Sequence, residues 1–208
     1  RFPHGDKCAV VGSTINNIYN TNLPVVNHII NIPSHNENLR FTLNIPEDAV
    51  VFGRYGGNDS FDIPFVKEVI KYVVNTHEQI YFIFMNTDIF YKHDRIIYME
   101  KTHDMHKKRQ FINTSDALIH ARYRGETFGL TCGEFATCKK QILSFSSSIE
   151  TEHLHILNDK VLLYKNPEEL YNILINLKGL SKDMANNGYI KKCNPEYIME
   201  IFNNVFLT

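Results

Sequence analysis

A chain of 208 residues has room for one large domain or one domain with extensions, and its 43% hydrophobic residues, including 14 Phe and 11 Tyr, are ample for a core. The formal net charge of −1, from 22 basic and 23 acidic residues, argues against nucleic acid or an anionic membrane as a partner held by bulk electrostatics. No apolar run is long enough to span a bilayer and no signal-peptide pattern opens the chain; the four cysteines show neither CxxC pairing nor disulfide density, which points to a reducing, cytoplasmic setting.

Residues 1–35 hold two short apolar runs, 8–11 and 24–30, around the Asn-rich stretch 15–22; they read as strands or extended linker with polar loops. Residues 49–52 form a clear strand that runs into the glycine-rich loop 53–60. Phe61, Phe65, Val66, Val69, Ile70 and Val73 then fall on one side of an amphipathic helix over 61–74. Strands follow at 79–85 and 95–99, a helix at 104–112, a short apolar strand at 116–121 and a helix from Gly129. Further strands at 141–144 and 161–164, a helix at 167–177 and a mostly helical tail over 181–206 complete the chain. Strands alternating with helices in this rhythm predict an α/β fold: a single Rossmann-like domain with a mostly parallel sheet flanked by helices. The expected division is a leading segment over 1–35, the Rossmann-like domain over 36–180 and C-terminal helices over 181–208.

Two loops carry candidate chemistry. In the first, Gly56 and Gly57 allow positive φ and close backbone approach, so their amides suit an anion-binding nest, with Arg54 as a forked cationic contact; the alternative is a tight turn with a solvent-facing arginine. In the second, Glu126 lies at the carboxyl end of the 116–121 strand and Glu134, eight residues on, more than a turn into the next helix. Ligands bind at that edge of an open α/β sheet, and a carboxylate, which only accepts hydrogen bonds, suits the vicinal hydroxyls of a polyhydroxylated ligand. The amides of Phe128, Gly129 and Leu130 are orphan donors at the first helical turn, favourable to an anion or sugar oxygens. Arg122 is a candidate diphosphate contact, while His120 reads as a hydrogen-bonded core residue. His103/His106 and His153/His155 lack a third ligand at matching spacing and read as surface histidines rather than a metal site; the basic run 107–109 reads as a solvated face, and Cys132 and Cys138 as small packing residues.

The segment Glu126-Thr-Phe-Gly-Leu-Thr-Cys-Gly-Glu134 resembles the Glu-x7-Glu motif of GT-B glycosyltransferases, more narrowly of the retaining group that uses nucleotide-diphosphate sugars, with Phe128-Gly129 and Glu134-Phe135-Ala136 matching the pattern. Val50-Val-Phe-Gly-Arg54 resembles that family's strand-Gly-Arg segment, and Asp116-Ala-Leu-Ile-His120 the strand before the motif, so the resemblance covers roughly residues 45–165. It implies that Glu126 accepts from donor-sugar hydroxyls near the amides of Phe128, Gly129 and Leu130, that Glu134 binds the nucleotide ribose, and that Arg54 with Gly53, Gly56, Gly57 and Arg122 holds the diphosphate. It implies a UDP- or GDP-linked donor and no metal or separate cofactor.

The family's usual lysine a few residues after the arginine is missing: none occurs before Lys67, which the pattern places in a helix and out of reach, so either backbone amides and Asn58 or Ser60 replace it or catalysis is weakened. Only one of the two GT-B domains fits in this length, and the chain starts at Arg1, so the expectation is a C-terminal, donor-binding domain separated from its N-terminal acceptor domain and inactive alone. The alternatives are a non-catalytic nucleotide-sugar-binding or scaffold module, and an epimerase-like or phosphorylase-like enzyme on the same architecture.

Overall fold

The short, mostly apolar runs are the ones that fold as strands of the main sheet, because a strand covered on both faces has little polar side to show. A computed structural model, which describes residues 5–208, places six of them in one parallel sheet. These are β1 (Val50–Tyr55), β2 (Ile80–Met85), β3 (Ile96–Met99), β4 (Ala117–His120), β6 (Gln141–Phe145) and β8 (Val161–Tyr164), ordered β3-β2-β1-β4-β6-β8. Phe52 aligns with Phe82 on one side and Ala117 on the other, so β1 and β4 are neighbours at the centre. The chain builds outward from β1 to β3, then returns to β4 and builds the other way, which makes the β1/β4 junction the switch point where such sheets open a crevice.

Helices α2 (Pro64–Thr76) and α6 (Pro167–Ile175) cover one face, packing Val66, Ile70 and Leu170 on Phe52, Phe82, Phe84 and Tyr164. The opposite face, with Val51, Tyr55, Leu118 and Ile142, is covered by α3 (Met105–Thr114), α4 (Leu130–Thr137) and α8 (Gly188–Lys192), through Phe111, Ile112, Phe135 and Tyr189. The remaining elements are α1 (Ser13–Tyr19), the two-residue strands β5 (Gly125–Glu126) and β7 (Glu150–Thr151) paired in a second sheet, α5 (Glu152–Leu157), α7 (Leu177–Leu180) and α9 (Pro195–Phe202). No helix of the described residues is long and apolar enough to cross a membrane.

The differences from expectation are local. Helix α2 starts at Pro64 rather than 61, since proline's missing N–H and fixed φ suit the first helical position; Phe61 stays in the preceding loop yet remains core, edge-on to Phe84. Residues 8–11 and 24–30 form no named strand; they pair in an isolated bridge, Val10 to Val25, beside which Asn27 Nδ2 donates to the Val11 carbonyl at 2.7 Å. The polar stretch between them is the helix α1, because Glu152, far along the chain, accepts from the Thr14 amide at 2.7 Å and from the Ser13 hydroxyl at its start.

Candidate functional site

The loops leaving β1 and β4 face each other across the switch point and bound a cleft of about 300 Å³ lined by Arg54, Gly56, Gly57, Ser60, His120, Arg122, Glu126 and the turn 127–131. A second cleft of about 250 Å³ adjoins it, sharing Tyr55, Gly56, Leu130 and Thr131 and adding Asn86, Lys101, His103, Lys108 and Glu134. The fold therefore brings each residue proposed to hold the donor to this edge except Gly53, which lies inside β1 opposite Ile83 and lines neither cleft. A β-carbon there would stand 2.1 Å from the Ser115 hydroxyl, so position 53 needs glycine for packing against α3.

Arg54 is 4% exposed, not solvent-facing. Its Nη1 donates to the Asn86 carbonyl at 3.1 Å and to the Thr87 hydroxyl; its Nη2 donates to the Gly57 carbonyl and the Ser60 hydroxyl, both at 2.7 Å. The fork thus ties the glycine loop to the loop after β2. Burial lowers the guanidinium to about 10, against the nearby carboxylates of Glu126, Asp59 and Asp62, so the charge is retained at neutral pH. Neither Gly56 nor Gly57 has positive φ, so the expected nest is not formed; the Gly57 carbonyl turns onto Arg54 and the Gly56 carbonyl accepts from Asn86 Nδ2 at 2.7 Å. Lys67 extends over the Phe90 ring at 5.8 Å and lines neither cleft.

Glu126 sits in β5, held by pairing with Thr151 of β7, and its two oxygens are separately gripped: Oε1 by His120 Nε2 at 3.2 Å and Oε2 by Arg122 Nη1 at 3.0 Å. Burial pushes this carboxyl up, but the hydrogen bonds and charges of His120 and then Arg122 outweigh it and hold Glu126 below its ordinary value. A carboxylate has about four acceptor sites, so two remain for a ligand. Arg122 is thereby an ion-pair partner of Glu126 as well as a lining residue.

Behind His120 runs a buried chain: His120 Nδ1 is 3.0 Å from the Ser144 hydroxyl, which is 2.9 Å from His153 Nε2. One proton assignment gives every link of the chain a donor and an acceptor, with His153 donating to Ser144, Ser144 to His120, and His120 to Glu126, while His153 Nδ1 has no partner among the described residues. His153 is fully buried, a correction to its surface reading: α5 turns it inward, where its ring centroid lies 4.7 Å from that of His120. Burial, and then the neighbouring His120, lower its basicity well below the ordinary histidine value. An unfolded His153 takes up a proton below about pH 6.5 and the folded one does not, so stability rises with pH and falls on acidification by about 1.4 kcal/mol per unit below that point. His153→Gln is expected to flatten this part of a stability profile measured by urea denaturation between pH 5 and 8; an unchanged slope would discount the burial.

Glu134 faces the second cleft. Its Oε2 accepts from the Tyr55 hydroxyl, and its Oε1 lies 3.4 Å from Lys108 Nζ, so Lys108 turns toward the cleft instead of belonging to a solvated face. The turn between the two glutamates is set by Gly129, at φ +83°, a region open to glycine and costly for other residues. The amides of Phe128, Gly129 and Leu130 have no hydrogen-bond partner among the described residues, while the Phe128 carbonyl accepts from the buried Tyr189 hydroxyl. These donors, at the start of α4, form the boundary shared by the two clefts.

Tyr55, Lys108, Ser144 and His28, whose ring sits edge-on to Phe128 at 5.2 Å, escaped the sequence reading. Tyr55 directly follows Arg54 at the strand end and was the one accessible by position; the others reach the site from distant elements.

No protein-family model matches this chain, and a search of curated proteins gave no match. Among solved structures, Anabaena HepE in complex with UDP-glucose superposes with a TM-score of 0.72 at 14% identity, covering 96% of this chain and 63% of that one. A glycosyltransferase from Rickettsia africae ESF-5 gives 0.69 at 16% identity, covering 96% and 63%, and TarM gives 0.68 at 16%, covering 96% and 43%. The chain thus spans between 43% and 63% of the length of these proteins. Its fold is that of one Rossmann-like half of a GT-B glycosyltransferase.

Proposed function

We propose that this chain is the donor-binding half of a retaining glycosyltransferase that takes a hexosyl group from a UDP- or GDP-linked sugar. The observation that carries this reading is the placement of Glu126 and Glu134 in adjoining clefts, separated by the free amides of the α4 turn and flanked by Arg54. A nucleotide sugar has that sequence of groups: hydroxyls on the hexose, negative charge in the middle, hydroxyls on the ribose. Glu126 accepts from the sugar, Glu134 from the ribose, and the diphosphate lies against the turn amides with the charge of Arg54 nearby. As the glycosidic bond breaks, cationic character grows on the sugar and negative charge on the departing diphosphate, so fixed donors at the turn stabilise the transition state more than the ground state. The donor is the only small molecule this scheme requires; the acceptor site belongs to a second, N-terminal domain, and the chain alone transfers no sugar.

Calorimetric titration with UDP and with GDP tests this. One of the two is expected to bind, and Glu134→Ala to weaken it by roughly 10- to 100-fold, the worth of hydrogen bonds to a charged group. Sugar transfer by the purified chain would remove the split-domain part of the reading. The second reading, a non-catalytic module of the same fold, draws on the internally occupied fork of Arg54 and the absent loop lysine; it is favoured if neither nucleotide binds.

A further inference from the structure

The pair His103/His106 lacks a third ligand along the sequence, but the fold brings two residues from elsewhere, His35 and Glu37, to His106 alone. His35 lies against the first turn of α3, its ring stacked on that of His106 with centroids 4.0 Å apart and planes at 22°. Glu37 Oε1 is 3.6 Å from His106 Nε2, and one ligand atom from each of His35, Glu37 and His106 falls within 4.8 Å of the others. Both ring nitrogens of His35 are shielded from solvent and lack a hydrogen-bond partner among the described residues. A neutral imidazole carries one N–H and one lone pair, and leaving a shielded polar atom unpaired costs on the order of 1–3 kcal/mol. That is a poor arrangement for a partly buried ring unless something else is bound there.

The surroundings are built to hold these three groups. Asn113 Nδ2 donates to the His35 carbonyl at 2.7 Å and to the Glu37 carbonyl at 2.8 Å, fixing the backbone that carries both. Gln110 Nε2 donates to Glu37 Oε2 at 2.9 Å, leaving Oε1 for a ligand. His106, Gln110 and Asn113 recur at helical spacing on one face of α3, so ligand and supporting residues share one rigid element. Supporting hydrogen bonds of this kind orient metal ligands and are weighty in metal affinity.

We propose that His35, Glu37 and His106 form a Zn²⁺ site that staples the segment entering the domain to α3. Two imidazoles and one carboxylate suit zinc, not the all-oxygen preference of Mg²⁺ or Ca²⁺, and three protein ligands leave a fourth position for water. Zinc bonds of about 2.0–2.2 Å place tetrahedral ligand atoms roughly 3.3–3.5 Å apart, so the half-exposed His106 and Glu37 side chains need close by only about 1–1.5 Å. The ion also takes up the otherwise unused lone pair on one His35 ring nitrogen.

The test is titration of the full chain, stripped by a chelator, with ZnCl₂ in a calorimeter. One Zn²⁺ per chain is expected. His35→Ala and His106→Ala should each weaken binding by roughly a hundredfold or more, and Gln110→Ala by about tenfold. His103→Ala should leave Zn²⁺ affinity unchanged, which separates this site from a metal held by the sequence-adjacent pair. Because His106 is half-exposed, its alanine variant is expected to fold, and circular dichroism verifies that. Co²⁺ gives a second readout: visible absorption typical of a four-coordinate site in the wild type, absent in His106→Ala. Wild-type affinity in both alanine variants, or no stoichiometric binding by the wild type, overturns the site and leaves only adventitious metal.

Discussion

Arg54→Ala is expected to lower the stability of the domain by about 3 kcal/mol and, under the donor-binding reading, to weaken nucleotide diphosphate binding by roughly a hundredfold. The two effects have different origins. Stability falls because the guanidinium is the shared partner of the Asn86 and Gly57 carbonyls and the Ser60 and Thr87 hydroxyls, and alanine removes the tie between the glycine loop and the loop after β2. Binding falls because a buried positive charge beside the diphosphate position disappears and the glycine loop loses its anchor. Arg54→Lys separates the two, since lysine restores charge without the planar fork. It is expected to recover part of the nucleotide affinity and little of the stability, read by calorimetry and urea denaturation. A fully stable Arg54→Ala chain would mean that the loop is organised by something other than this side chain.

Gly125→Ala is expected to destabilise by about 3 kcal/mol or more, enough to leave the chain largely unfolded or insoluble. Gly125 has φ +79°, and a β-carbon there would stand 1.9 Å from the Glu150 carbonyl and 2.7 Å from Ser148 Cβ. Backbone cannot yield as a flexible side chain does, so relief comes only by parting β5 from β7, which displaces Glu126 from His120 and Arg122. Gly179→Ala is the control. Nothing lies within 4 Å of a β-carbon at 179, in α7, and alanine there is expected to be neutral or to stabilise by about 0.5–1 kcal/mol. Equal denaturation midpoints for the two variants would show that the second sheet is not structurally strict.

The sequence carried the sheet and the two candidate loops because their signals are local. Residues such as Val50, Val51 and Phe52 are apolar at successive positions for the simple reason that both faces of β1 are covered. The pairing of Phe128-Gly129 with two glutamates is likewise written within nine residues. What escaped depends on partners far along the chain. Helix α1 looks like polar linker until Glu152 is seen at its amino end. His153 looks like a surface residue until α5 turns it onto Ser144, and Lys108 looks solvated until α3 is set beside α4. The glycine loop shows the reverse error: its composition permits positive φ, and the fold uses it for close approach, with a β-carbon at Gly56 only 3.2 Å from Arg54 Nη2.

Tyr189 stands 61 residues beyond the carbonyl of Phe128 that its hydroxyl closes. The same short helix is tied to α4 through Asn187, which donates to the Ala136 carbonyl at 2.9 Å, and to the leading segment through Ile30, whose amide donates to the Cys193 carbonyl at 2.8 Å. A fragment trimmed before Gly188 would therefore keep all six strands of the main sheet but lose the buried Tyr189 and Cys193 from the α4 side, and carry a slack turn where both clefts meet. For expression work on this chain, the tail belongs to the core as much as to the turn, and a nick there would loosen both.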